Sequence, residues 1–341
     1  VERSRGLGDV YKRQTKFNEV ISNLDLELSR ALSHLSEKVK SEVQEIRLRI
    51  NCPVVLHLGE SMYFISKDGT LTKVAGENLL IATADNIRNT FNKICNYSVY
   101  SYQKEIVNGF ITIKGGHRVG ICGTAIYGKN IENIKDITSL NFRIARSIPG
   151  ISDTVLKNVN ADFSGILIAG APCSGKTTFL RDIARNLSIG KFSSAKKVVV
   201  IDERGEFSGM CRGEPQNDLG YCDILYGYSK KDGIEHSIRC LSPEIIVCDE
   251  IGNESDVNAI ESGVNSGISF IASAHVSSRE GIIKKTALKE LFSKGVFDTV
   301  VFLNKLSQRF EILKVGEKID KSNGNRDFFF IDVNSGVHNI A

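Results

Sequence analysis

Between residues 17 and 43, apolar side chains recur at Phe17, Val20, Ile21, Leu24, Leu28, Ala31, Leu32 and Leu35, the spacing of a buried helical face. One or two helices are expected there. Glu45-Ile-Arg-Leu-Arg-Ile50 then alternates with period two, and Asn-Cys-Pro leads into a second strand, Val54 to Leu58. A Gly59-Glu60 turn precedes a strand at Met62 to Ile65, and Thr83 to Tyr97 reads as a helix with Asp85 near its start. Gly109 to Ile113 and Arg118 to Ile126, joined through Lys-Gly-Gly-His117, read as a hairpin.

From Gly165 the pattern changes. Strand-length apolar runs at Gly165–Ala169, Lys197–Ile201, Ile245–Cys248, Ile268–Ser273 and Thr299–Leu303 alternate with helix-length connections. Such alternation predicts a parallel sheet with helices on both faces, and ligands at the carboxyl ends of its strands. The stretch after Leu313 is polar until Phe328-Phe-Phe-Ile331, which reads as a last edge strand. The expected organisation is a mixed α/β domain over 15–150, ending at Pro149-Gly150, a catalytic α/β domain over 151–313, and a tail over 314–341.

Composition changes this picture little. The 341 residues suffice for two domains, and 41% hydrophobic with 25% charged residues is a globular balance. No apolar run approaches the roughly 18 residues of a membrane span, and no secretory leader is expected. Eight cysteines form no C-x-x-C pair, and reduced thiols acting as small hydrophobes in cytosol are expected. Val1 to Gln14 starts without Met and shows no period, so it is expected to be non-native sequence and is left out of the fold reading. Without its four basic and two acidic residues the net charge falls from +4 to +2. That balance, with no Lys/Arg stripe interleaved with aromatics, argues against nucleic acid.

The candidate chemistry begins in Gly170-Ala-Pro-Cys-Ser-Gly-Lys-Thr177, a G-x-x-x-x-G-K-T loop between an apolar strand and an amphipathic segment. Backbone N–H groups of Gly170, Ala171, Pro172–Gly175 and the helix start, through Thr178, are placed to cradle phosphates. Proline itself contributes no donor. Lys176 can reach the β- and γ-phosphates, and the Thr177 hydroxyl can ligate Mg²⁺. Ile245-Ile-Val-Cys-Asp-Glu250 ends a buried strand in two carboxylates. Asp249 is expected to hold Mg²⁺ opposite Thr177, and Glu250 to activate a water. Val198-Val-Val-Ile-Asp-Glu203 ends a neighbouring strand the same way, and His275 ends another, placed to sense the γ-phosphate. Asp249-Glu-Ile-Gly252 also fits a GTPase D-x-x-G, but Asn304-Lys-Leu-Ser307 lacks the carboxylate that would read guanine, so ATP is expected.

Together these segments resemble the secretion-superfamily (RecA-like, AAA-type) ATPases, and within them the stage III sporulation protein AA family. The resemblance spans about residues 17–313 and rests also on Glu45-Ile-Arg-Leu-Arg49, Gly115-Gly-His-Arg-Val-Gly-Ile-Cys-Gly123, Ser139-Leu-Asn-Phe-Arg-Ile-Ala-Arg146 and Arg239 to Gly252. It implies an α/β fold: a RecA-like P-loop NTPase core with a parallel sheet, preceded by a smaller mixed α/β N-terminal domain. It further implies ATP and Mg²⁺ as ligands and a homo-oligomer, a hexameric ring. Its expected partners are integral-membrane subunits of a secretion-like sporulation channel. The ring would be cytoplasmic and peripheral to the membrane on the mother-cell side. Glu203 resembles an acidic-box residue. Arg118 and Arg143 resemble N-domain arginines that reach a nucleotide across a subunit interface, whereas Arg146 and Arg239 keep the reading of surface ion-pair formers.

Cys173 departs from the family, in which many members carry Gly, so the position must tolerate a Cβ or avoid positive φ. The leading functional expectation is an ATP-hydrolysing motor. Two alternatives stay open, a nucleotide-binding scaffold of the channel base with little turnover and a nucleic-acid translocase.

Overall fold

The computed structural model describes residues 14–146, 148–159, 163–304, 309–319, 326–333 and 338–339. Residues 1–13 of the segment expected to be non-native lie outside the described residues; Gln14, grouped with them, opens a helix, α1, at 14–21. The chain divides into two compact units, one of Val1–Arg146 with Gly209–Gln216, the other of Ser147–Ser208 with Asn217–Ala341.

In the first unit, α1 is followed by α2 (Leu26–Ser33) and α3 (Glu37–Glu42), so the amphipathic stretch makes three helices. Two capping side chains break it up: Asp25 accepts from Glu27 N and Ser36 from Val39 N. Then come β1 (Val43–Arg49), β2 (Cys52–Pro53), β3 (Val55–Leu58), β4 (Ser61–Ile65), β5 (Leu71–Thr72) and β6 (Ile81–Ala82). Helix α4 (Ala84–Ile94) opens on a reciprocal capping box of Thr83 and Asn86. It ends before Tyr97, where Asn96 and Tyr97 both take positive φ. The expected helix over 83–97 is thus shortened.

After α5 (Gln103–Val107), the strands β7 (Phe110–Ile113), β8 (His117–Tyr127) and β9 (Ile131–Arg143) complete a sheet ordered β5-β4-β3-β1-β9-β8-β7. Alternation sends Ile46, Leu48, Val119, Leu140 and Phe142 into one core with Phe17, Leu24, Leu28 and Ile87. The opposite face carries Glu45, Arg143 and Arg118, direct neighbours across β1, β9 and β8. The segment 209–216 belongs to this unit through Gly115 N, which donates to Gln216 Oε1 at 3.0 Å, and Arg212 Nε, 3.3 Å from the Tyr102 hydroxyl.

The second unit contains α6 (Asp153–Asn158), β10 (Gly165–Gly170), α7 (Lys176–Ser188), β11 (Val198–Asp202), β12 (Asp223–Tyr226), α8 (Lys230–Cys240) and β13 (Ile245–Cys248). It continues with α9 (Glu254–Asn265), β14 (Ser269–His275), α10 (Arg279–Lys284), α11 (Thr286–Ser293) and β15–β18 (Thr299–Asn304, Arg309–Ile319, Arg326–Asp332, His338–Asn339). The sheet runs β12-β11-β13-β14-β10-β15-β16-β17, with β18 on β16. From β12 to β15 it is parallel; β16, β17 and β18 add antiparallel. Phe328 to Ile331 lie on β17, at the end of that strand order.

The unbroken apolar runs have a simple cause: each strand is covered on both faces. Leu167 and Ala169 of β10 face a core with Ile234, Val257 and Leu291, while Ile166 and Ile168 face one with Val155, Phe179 and Ile183. Cys248 is buried in the first of these cores, and burial pushes its thiol up to about 12. His275 is the last residue of β14, the strand end expected for it.

Candidate functional site

The loop after β10 starts at Gly170, where a Cβ would sit 2.7 Å from Ser174 Oγ and 2.9 Å from Leu303 O, so only glycine fits. It ends at Gly175, whose φ of +97 turns the chain into α7 with no side-chain cap. The first N–H groups of α7 are therefore left for a ligand or water. Cys173 is exposed at φ +60, so the loop places a Cβ-bearing residue in left-handed backbone. Ser174 Oγ is buried without a hydrogen-bond partner.

Lys176 Nζ is drawn back onto its own loop. It donates to Gly170 O (3.1 Å) and Ala171 O (2.9 Å) and lies 2.8 Å from His275 Nδ1. Burial pulls this ammonium below its ordinary value, against the raising effect of Asp249 and Glu250. An ammonium has only donors, so His275 Nδ1 accepts and the ring proton sits on Nε2. Nε2 in turn lies 3.4 Å from Glu250 Oε1. His275 thus links the lysine to the carboxylate.

β13 delivers Asp249. Its Oδ2 is 3.5 Å from Thr177 Oγ1, while Oδ1 accepts from Ser273 Oγ (2.5 Å) and Glu250 N (3.0 Å). Glu250 has φ +28, a backbone region that L residues seldom enter. These residues fit a metal–triphosphate in donor chemistry. The loop supplies open N–H groups, an unpartnered buried hydroxyl and a cation, and a hydroxyl faces a carboxylate.

Glu203 follows β11, and its Oε2 is 3.2 Å from Lys230 Nζ. Burial works against the Lys230 charge, yet Asp256 and Glu203 hold its ammonium above the ordinary value. Asp202, one residue earlier, is buried and accepts from Phe207 N, Ser208 N and Ser208 Oγ, which makes it a loop anchor. Arg118 lies in the first unit with its guanidinium 3.5 Å above the Phe110 ring, and Arg143 Nε is 3.6 Å from Glu45 Oε1. Arg146 donates to the carbonyls of Glu42 and Val43, while Arg239 lies along its own helix against Glu235. Of the GTPase-like quartet, Asn304 ends β15, and residues 305–307 lie outside the described residues.

Sequence reasoning missed Ser273 and Lys230. Ser273 had a signal: it stands two residues before His275, on the same face of β14.

This sheet, loop and carboxylate-ended strand define the class by fold, a RecA-like P-loop core. The chain is similar to the Yersinia pseudotuberculosis ATPase DotB (TM-score 0.53, 13% identity, 88% of this chain and 78% of that one). It is also similar to the pilus retraction motor PilT, solved with bound ADP (TM-score 0.51, 14% identity, 86% and 81%). At such identities the likeness is one of fold. Residues 12–321 match the family model described as "Sporulation stage III, protein AA", and the chain belongs to that family. A Bacillus subtilis (strain 168) relative, stage III sporulation protein AA, is 35% identical over 292 residues, covering 84% of this chain and 91% of its own length.

Proposed function

We propose that the second unit binds ATP at Gly170–Thr178 and hydrolyses it, as one subunit of a ring that energises a secretion-type sporulation channel. The observation that carries this reading is the convergence of Lys176, His275, Glu250 and Asp249 on one loop mouth, with Thr177 facing Asp249.

In this reading the N–H groups of the loop and of the first turn of α7 bind the phosphates, and Lys176 exchanges its loop carbonyls for phosphate oxygens. Thr177 and Asp249 would hold Mg²⁺, which when bound offsets charge on the phosphoryl oxygens. Glu250 takes the proton of the attacking water as its oxygen bonds the γ-phosphorus and the bond to the β–γ bridging oxygen breaks. His275, held by Lys176 through Nδ1, offers Nε2–H to Glu250 and keeps that carboxylate oriented. Glu203 is a second acidic group at the same sheet edge, restrained by Lys230. Arg118 and Arg143 supply permanent cations to the site of an adjacent subunit, where a guanidinium suits developing phosphoryl charge.

The ring would act at the cytoplasmic membrane surface of the mother cell, against integral-membrane channel subunits. No helix among the described residues is long and apolar enough to cross a membrane.

The test is specific activity against protein concentration. A site completed by a neighbour gives activity that rises with self-association; constant specific activity would contradict the shared site, and a folded protein that releases no phosphate at any concentration would contradict the motor.

A further inference from the structure

We infer that Ser273 is a positioning residue that fixes both the metal-facing carboxylate and the backbone of the water-activating residue. This rests on the function proposed above.

Ser273 is fully buried, in the interior of β14. Its hydroxyl has one proton and two lone pairs. The proton goes to Asp249 Oδ1 at 2.5 Å, and a lone pair accepts Glu250 N–H at 3.0 Å. Oδ1 is thereby occupied, and Oδ2 is the oxygen left turned to Thr177. Together with Glu250 N, which also donates to Oδ1 at 3.0 Å, this hydroxyl sets which oxygen of Asp249 looks into the loop.

The second half of the clamp is main chain. Ile251 N donates to Ser273 O at 2.8 Å, so Ser273 grips the peptide on both sides of Glu250. Glu250 needs that grip, because a φ of +28 is strained for an L residue and persists only where its surroundings over-determine it. Losing the hydroxyl leaves Oδ1 held by Glu250 N alone and removes one of the two grips on the strained peptide. Among the described residues the hydroxyl's hydrogen bonds go to Asp249 and Glu250 and not to the phosphate-binding loop, so metal-free nucleotide affinity should be left alone.

The experiment is calorimetric titration of ADP, in Mg²⁺ and in EDTA, into the full chain and its Ser273→Ala, Ser273→Thr and Ser269→Ala variants. Ser269 is a control on the same strand, and its hydroxyl donates to Phe163 O at 3.2 Å. In Ser273→Ala the tightening of ADP by Mg²⁺ should shrink by about 10–100-fold, the usual effect of removing an outer-shell partner. Its affinity in EDTA should be unchanged. Ser273→Thr should restore the Mg²⁺ effect, and Ser269→Ala should never lose it.

The inference is overturned if Ser273→Ala keeps the parent's Mg²⁺ effect, if it loses affinity equally in EDTA, or if parental ADP binding ignores Mg²⁺. A parent that binds no ADP in either buffer removes the proposed function itself, and this inference with it.

Discussion

His275 Nδ1 lies 2.8 Å from Lys176 Nζ while Nε2 of the same ring lies 3.4 Å from Glu250 Oε1. In the proposed mechanism, one imidazole links the lysine that would seek phosphate to the carboxylate that would activate water. His275→Ala should lower kcat by about tenfold or more, since a hydrogen bond to a charged group is worth about 1.5–3 kcal/mol. ATP affinity should be retained, because Lys176 keeps two carbonyl partners and is freed from a third. Steady-state kinetics beside equilibrium binding separates these effects; a loss confined to affinity would contradict the orienting role.

Glu250, 3.4 Å from His275 Nε2, is the proposed general base. Glu250→Gln preserves size and hydrogen bonding but not basicity. Turnover should fall by about 10²–10⁴, the usual contribution of a general base, with nucleotide binding kept. Single-turnover phosphate release measures it, and undiminished release would pass the role to Glu203.

Arg118 and Arg143 are cross-strand partners in the first unit. If each serves a neighbouring site, Arg118→Ala or Arg143→Ala chains should be inactive alone. Mixed with Lys176→Ala chains, they should recover part of the activity, because one subunit type keeps the arginine and the other keeps the loop. Absence of recovery at any mixing ratio would contradict action across subunits.

His117 gives an acid limb to stability. Its ring is fully buried; burial, opposed by its bond to Glu19, takes it down to about 4 from an ordinary 6.5. Nδ1 accepts from Ala145 N at 3.0 Å, so Nε2 carries the proton toward Glu19 Oε2 at 3.0 Å. The folded value is the lower one, so the unfolded chain binds more protons between pH 6.5 and 4. This contribution is complete above 6.5 and is lost as pH falls through the window, about 3 kcal/mol in all. Urea melts at pH 7 and pH 4.5 should show that slope, and His117→Gln should flatten it.

Cys173 occupies left-handed backbone at φ +60, which costs an L residue about 1–2 kcal/mol. Cys173→Gly removes the strain but adds unfolded-state entropy worth roughly 0.5–1 kcal/mol. A net gain of up to about 1 kcal/mol is expected in thermal unfolding, with ADP binding preserved.

Much of the second unit was legible because burial on both faces writes strands as unbroken apolar runs, and a run ending in Gly-rich backbone or carboxylates has few other uses. β10, β13 and the residues at their ends followed from that logic. β9 was missed because its outer half is solvent-exposed and carries Glu132, Lys135 and Asp136, which blur the period. β12 was hidden for a similar reason, with one buried residue among four. The assignment of 209–216 to the first unit rests on Gln216 and Arg212, and side-chain hydrogen bonds over a hundred residues apart leave no local pattern. Ser273 reads as an ordinary small strand residue until the carboxylate beside it is known.

Calorimetric titration of Mg-ATP into folded protein tests whether the loop Gly170–Thr177 grips a triphosphate. Saturable heat is expected for the parent and none for Lys176→Ala. A folded parent with no binding heat, or equal heats in the two proteins, would contradict it.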